Sequence, residues 1–171
     1  PGHGWAEADS HVALPADERE REKVLADLDI YRGLASELTS LMTAHVAYEG
    51  FDGETATFSQ TLLKEILRDA IGFTGLVFSD DLSMKGAGSS EAVAARARRA
   101  LSAGCDMVLH CNHPEEADEI LRDLEWERPE RFTERLAGLL PDSSTPLGLE
   151  ALRSTERWKE AVRALRAVDL L

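Results

Sequence analysis

A chain of 171 residues with 43% hydrophobic and 30% charged side chains has the length and balance of a soluble globular domain with a real core. Its formal net charge of −13 argues against nucleic acid or an anionic membrane surface as partner, because phosphates would be repelled. No apolar run approaches the roughly 20 residues of a membrane span, nothing resembles a signal peptide, and Cys105 and Cys111, spaced by about 20 Å if on one extended strand, are out of disulfide reach and suit a reducing compartment.

In chain order, residues 1–20 read as a Gly- and Asp-rich loop running into a polar segment. Residues 21–40 place Val24, Leu25, Leu28, Tyr31, Leu34 and Leu38 close to helical spacing. The run 41–46, ending in His45-Val46, predicts a short buried strand, and 57–70 a helix with Phe58, Leu62, Leu63, Ile66 and Leu67 on one face, stopped at Gly72. Residues 75–79 are almost wholly apolar, as in a parallel strand covered on both faces. An Ala- and Arg-rich helix over 87–103 closes at Gly104, a third strand covers 106–111, and a helix restarts over 114–124. This alternation of strand and helix is the signature of an α/β chain with a parallel sheet. Beyond it, 129–140 predicts helix, 141–146 a linker, and 154–171 an amphipathic helix with Trp158, Val162, Leu165 and Val168 on one stripe.

Two short segments concentrate the chemistry. Pro1-Gly2-His3-Gly4 is followed, four residues on, by Asp9-Ser10-His11. A carboxylate two residues before an imidazole can hydrogen-bond to it, orient the ring and favour its protonated form, which suits a general acid near neutral pH. The same spacing also occurs in plain solvated loops, and His3 could contact a substrate or brace the loop. The second segment is Gly75-Leu76-Val77-Phe78-Ser79-Asp80-Asp81-Leu82-Ser83-Met84, a buried strand ending in two carboxylates. By strand alternation Asp80 and Asp81 point to opposite sides. One is then free for a pocket, although Ser-Asp-Asp can equally cap a turn.

Taken together, these segments resemble the bacterial β-N-acetylhexosaminidases of glycoside hydrolase family 3. The likeness extends to Met42-Thr43-Ala44-His45-Val46, Ala56-Thr57-Phe58-Ser59, Phe78 to Met84 and Ala103-Gly104-Cys105-Asp106-Met107-Val108-Leu109, in the family order. It implies the C-terminal part of a (β/α)8 barrel over 1–140, with a linker and helix over 141–171 packed on it. It also implies Asp80 as nucleophile, His11 as general acid/base, Asp9 as partner of His11, and His3 as a weaker candidate for substrate binding. The implied function is a retaining exo-β-N-acetylglucosaminidase acting on terminal β-linked N-acetylglucosamine. The carbohydrate would come from peptidoglycan (muropeptide) fragments recycled in the cytoplasm, with no cofactor and no metal.

Two departures qualify that expectation. Trp5-Ala6-Glu7-Ala8 brings a bulky aromatic and an acid into the loop. The chain begins at a proline within a motif and lacks the family residues that precede it. The expectation is therefore a fragment, inactive alone, with the N-terminal barrel half absent from this chain. The alternatives are a phosphorylase of the same family, a non-catalytic binding module, and a metal-dependent hydrolase using His3, Asp9, His11 and Asp80. Those residue types suit zinc or manganese, but their spacing matches no helix-borne metal motif.

Overall fold

The computed structural model describes residues 2–88, 90–140 and 147–169, so the linker expected over 141–146 lies outside the described residues, as does Pro1. The chain divides into two units, Pro1–Leu140 and Pro141–Leu171. In the first, strands β1 (Ala16–Asp17) and β3 (Ala47–Tyr48) pair in parallel. Strands β2 (Ser40–Met42), β4 (Leu76–Asp81) and β5 (Met107–Leu109) form a second parallel sheet with β4 at its centre. The register pairs Met42 with Phe78 and Phe78 with Met107. The helices between them are α1 (Arg21–Leu34), a helix over Thr61–Ala70, α2 (Val93–Ala103), α3 (Pro114–Asp123) and α4 (Phe132–Ala137). The fold is α/β with parallel strands, as the alternating pattern of the sequence implies.

Several boundaries differ from the sequence expectation. The strand expected over 41–46 is divided: β2 stops at Met42, and the chain joins the other sheet at Ala47. Thr43, Ala44 and His45 form the corner: the Thr43 amide still donates to the Phe78 carbonyl at 2.9 Å, while the side chains of Thr43 and His45 bond to the end of β4 and to Thr57. The strand β1 was read as loop; two residues are too few for a periodic signal. The helix expected over 57–70 begins with a separate tight turn at Ala56–Phe58, and over Thr61–Ala70 it is wound wider than an α-helix, with the Ile71 amide donating to the Ile66 carbonyl at 2.9 Å.

Sequence composition explains why β4 is central. Leu76 and Val77 are fully buried, each apolar side chain of this size contributing about 1.5–3 kcal/mol on burial. Val77 packs in a cluster with Phe58, Leu63, Phe73, Ala97 and Ala100. The alanines of α2 let that helix approach closely, and at Gly104 an added Cβ would meet the Leu63 Cβ at 3.1 Å.

The base of β4 is held by charge. The buried Asp106 carboxylate accepts from the Val77 amide at 2.9 Å and from Arg68 at 2.7 Å, and it also pairs with Arg135. Arg68 in turn donates to the carbonyls of Phe73 and Gly75 at 2.9 and 2.7 Å. The second unit contains α5 (Leu149–Ser154) and α6 (Glu156–Arg166), the latter capped by the Thr155 hydroxyl, which accepts from the Trp158 amide. No helix among the described residues is long and apolar enough to cross a membrane.

Removing Asp106 would take the carboxylate from two half-buried guanidinium groups and the acceptor from the Val77 amide. Asp106→Ala is expected to lower unfolding free energy by about 3–5 kcal/mol, read from the midpoint of urea denaturation. The two thiols should also separate by reactivity. Burial pushes Cys105 up to about 12, whereas Cys111 is exposed, so a thiol reagent should titrate one cysteine in the native protein and both in denaturant.

Candidate active site

The loop carrying His3, Asp9 and His11 is clamped at its base. The Tyr48 hydroxyl donates to the Gly2 carbonyl at 2.7 Å, and the Trp5 amide donates to Asp17 Oδ2 at 3.2 Å. Asp17 is fully buried and also takes Arg19 Nη2 at 2.7 Å, while the Arg19 guanidinium lies 5.6 Å from the centre of the Trp5 ring. Gly4 is at φ +60°, and a Cβ there would lie 2.7 Å from Asp17 Oδ2, so the close approach requires glycine. His3 is turned inward along the loop, with Nε2 2.9 Å from the Ala8 carbonyl, a contact that braces the loop.

Asp9 organises the tip. Its Oδ1 accepts from the His11 amide at 2.9 Å and lies 2.7 Å from His11 Nδ1, while its carbonyl accepts from the amides of Val12 and Ala13. The imidazole hydrogen bond and the charge of Asp9 raise the His11 pKa above its ordinary value, and the charges of Asp80 and Asp81 add to the effect. Reciprocally, the His11 amide and ring hold the Asp9 carboxyl down. Both side chains are exposed. With Nδ1 committed to Asp9, proton exchange with anything outside the dyad falls to Nε2.

The strand end is organised by a buried imidazole. The Asp81 carbonyl can only accept, so His45 Nε2, 2.9 Å away, carries the hydrogen. In the neutral ring Nδ1 accepts from the Thr57 hydroxyl at 2.9 Å, a hydroxyl that also lies 3.3 Å from the Ala44 carbonyl. Thr57 in turn accepts from the Thr43 hydroxyl at 2.8 Å, and Thr43 accepts from the Asp80 amide at 3.2 Å. The relay starts and ends on adjacent residues of one strand. Burial lowers the His45 pKa and keeps the ring neutral, as the relay requires.

The two carboxylates of the strand end divide accordingly. Asp81 is consumed by structure: Oδ1 accepts from the amides of Ser83 and Cys111, both at 2.9 Å, and Oδ2 from the Ser83 hydroxyl at 2.8 Å. Burial alone would raise its pKa, but these donors outweigh it and the net shift is downward. Asp80 accepts only the Asp81 amide at 2.8 Å among the hydrogen bonds found in the described residues. Asp80 thus keeps acceptor capacity for an incoming group, on a backbone whose position is fixed.

The structure therefore joins Asp9 to His11, places Asp80 at the end of the central strand, and turns His3 toward the loop itself. The sequence reading places His45 near the end of an apolar run and gives His45, Thr43 and Thr57 no role of their own. Their signal was two threonines and a histidine in otherwise apolar surroundings, groups that must pair when buried. Among the described residues no group of three or more His, Cys, Asp or Glu side chains is placed to hold a metal ion. A stability consequence follows for the loop base. The Arg19 guanidinium and nearby amides hold Asp17 down at about 2, against an ordinary 3.8. A depressed carboxyl stabilises the fold above its ordinary pKa and loses that contribution as pH falls through the folded value. Asp17→Asn should therefore cost roughly 2 kcal/mol at neutral pH and flatten acid unfolding between about pH 4 and 2, as followed by circular dichroism.

Residues 1–136 match the glycosyl hydrolase family 3 N terminal domain. A beta-hexosaminidase of Methylobacillus flagellatus is 48% identical over 170 residues, which is 98% of this chain and 48% of that protein. The crystal structure of NagZ from Neisseria gonorrhoeae in complex with N-trifluoroacetyl-D-glucosamine superimposes with a TM-score of 0.77 at 37% identity, covering 96% of this chain and 48% of that one. The beta-N-acetylglucosaminidase from Thermotoga maritima gives 0.62 at 30% identity, over 79% and 31% of the two chains. The chain thus spans about half the length of the curated relatives it matches. With 136 of 171 residues matched and the dyad loop and strand end inside the match, the chain belongs to glycosyl hydrolase family 3.

Proposed function

We propose that this chain carries the nucleophile and the acid/base of a retaining exo-β-N-acetylglucosaminidase, on the C-terminal part of a (β/α)8 barrel. The observation that carries this reading is the division of labour among the acidic groups. Asp81 and Asp9 are occupied by hydrogen bonds, leaving Asp80 and His11 Nε2 as the reactive pair. Support comes from the relatives described as beta-hexosaminidase and beta-N-acetylglucosaminidase, and from the glucosamine derivative bound by the Neisseria protein.

In the first step an Asp80 oxygen attacks the anomeric carbon while protonated His11 gives the Nε2 proton to the departing glycosidic oxygen. A glycosyl ester and a neutral imidazole remain. In the second step Nε2 takes a proton from water, the water oxygen bonds to the anomeric carbon, and the Asp80 carboxylate leaves. Two inversions give retention. Using histidine where most such enzymes use a second carboxylate keeps another negative charge away from Asp80 and its ester. The substrate proposed is a terminal β-linked N-acetylglucosamine of muropeptide fragments, handled during peptidoglycan recycling in the cytoplasm.

The test is hydrolysis of 4-nitrophenyl N-acetyl-β-glucosaminide by the full open reading frame. Asp80→Ala should fall to background, and His11→Ala should lose about 100-fold or more in kcat/KM. Activity indifferent to both changes would overturn the reading. The acid form of His11 is populated below its pKa, so activity should be lost as pH rises through it. Because Asp9 raises that pKa, Asp9→Asn should move the alkaline limb of the kcat/KM profile to lower pH.

A further inference from the structure

From Gly2 to Leu14 the loop is exposed or half-exposed at every residue but one, and that one is Ser10, 8% exposed, between the two members of the dyad. What covers it is the turn that follows β4. The Gly86 amide, in the tight turn Lys85–Ala87, donates to the Ser10 carbonyl at 2.9 Å. Gly86 is itself buried. A Cβ placed on it would lie 2.8 Å from the His45 Cβ, 3.1 Å from the His45 carbonyl oxygen and 3.1 Å from the Ser10 carbonyl oxygen. His45 cannot retreat freely, since its ring is held to Asp81 and Thr57, so a side chain at residue 86 would displace the Ser10 turn instead.

We infer that Gly86 is a positioning residue: the missing side chain creates the dock that sets the Asp9-Ser10-His11 turn in register with the end of β4. The inference rests on the glycosidase reading for its catalytic meaning. Asp80 is fixed through the relay that passes through His45, His45 forms one wall of the Gly86 seat, and the Ser10 carbonyl forms the other. Nucleophile strand and acid/base turn are thereby referred to one point, although they lie some seventy residues apart in sequence. A misplacement of about 1 Å between reacting groups costs on the order of 100-fold in rate, so the seat has a large effect to exert.

Two variants of the full open reading frame test it. Gly86→Ala fills the seat from below, and Ser10→Leu forces the turn off it from above without touching the sheet. Because protonation by His11 matters for a poor leaving group and hardly for a very good one, kcat/KM is compared on the phenyl and 2,4-dinitrophenyl N-acetyl-β-glucosaminides. Both variants should lose about 100-fold on the phenyl glycoside and stay near wild type on the dinitrophenyl one. Equal losses on both substrates, or none on either, would overturn the proposal. Amide hydrogen exchange gives a readout independent of turnover: Gly86 should be protected in the wild type and exchange faster in Ser10→Leu. A wild type inert on both glycosides would remove the glycosidase reading, and exchange alone would then decide the dock, unprotected Gly86 in the wild type overturning it.

Discussion

A strand covered on both faces must end somewhere, and its last peptide groups are polar whether or not water reaches them. At the end of β4 this constraint is met by one buried imidazole and two threonine hydroxyls, which carry hydrogen bonds from the Asp80 amide round to the Asp81 carbonyl. Its two ends have fixed directions, because the first donor is an amide and the last acceptor a carbonyl. A neutral His45 carrying its hydrogen on Nε2 fits this relay, and burial lowers the ring's pKa in that direction. The corner after β2, the start of the Ala56–Phe58 turn and the end of β4 are therefore set together, since each contributes a member of the relay.

The same logic separates acidic groups of identical chemistry. Asp80 and Asp81 are neighbours, yet Asp81 receives three donors from the turn after it and from Cys111, while Asp80 receives, among the described residues, only the amide next to it. Asp9 is likewise spent on His11 and on its own turn. A carboxylate satisfied by the fold is a poor nucleophile; one held by its backbone with free oxygens is a better one. In the proposed glycosidase, the bonds that occupy Asp9 and Asp81 would single out Asp80.

Rigidity at the strand end needs an equally firm base. Asp106, joined to Arg68, Arg135 and the Val77 amide, fixes the opposite end of the β4 region, and Arg68 also ties down the carbonyls of Phe73 and Gly75. Asp17 does comparable work under the loop, gathering Arg19 and the Trp5 amide, with Tyr48 holding Gly2 beside it. An exposed tip on an anchored base can meet a ligand from solvent without losing its place.

Much of this was legible in the amino-acid order. The apolar run ending in Asp80-Asp81 declared a buried parallel strand, because only a strand covered on both faces dispenses with alternation. The helices after it followed from apolar periodicity, and the Asp9–His11 contact from a spacing of two residues, which local geometry can close unaided. The tertiary structure decided what depends on residues far apart in the chain. Which carboxylate is spent, why His45 stays neutral, where the run 41–46 breaks, and why residue 86 must lack a side chain are answered by contacts between segments tens of residues apart. No local pattern encodes these, because hydrogen-bond satisfaction and steric room are properties of the packed neighbourhood and come into being only when the segments meet.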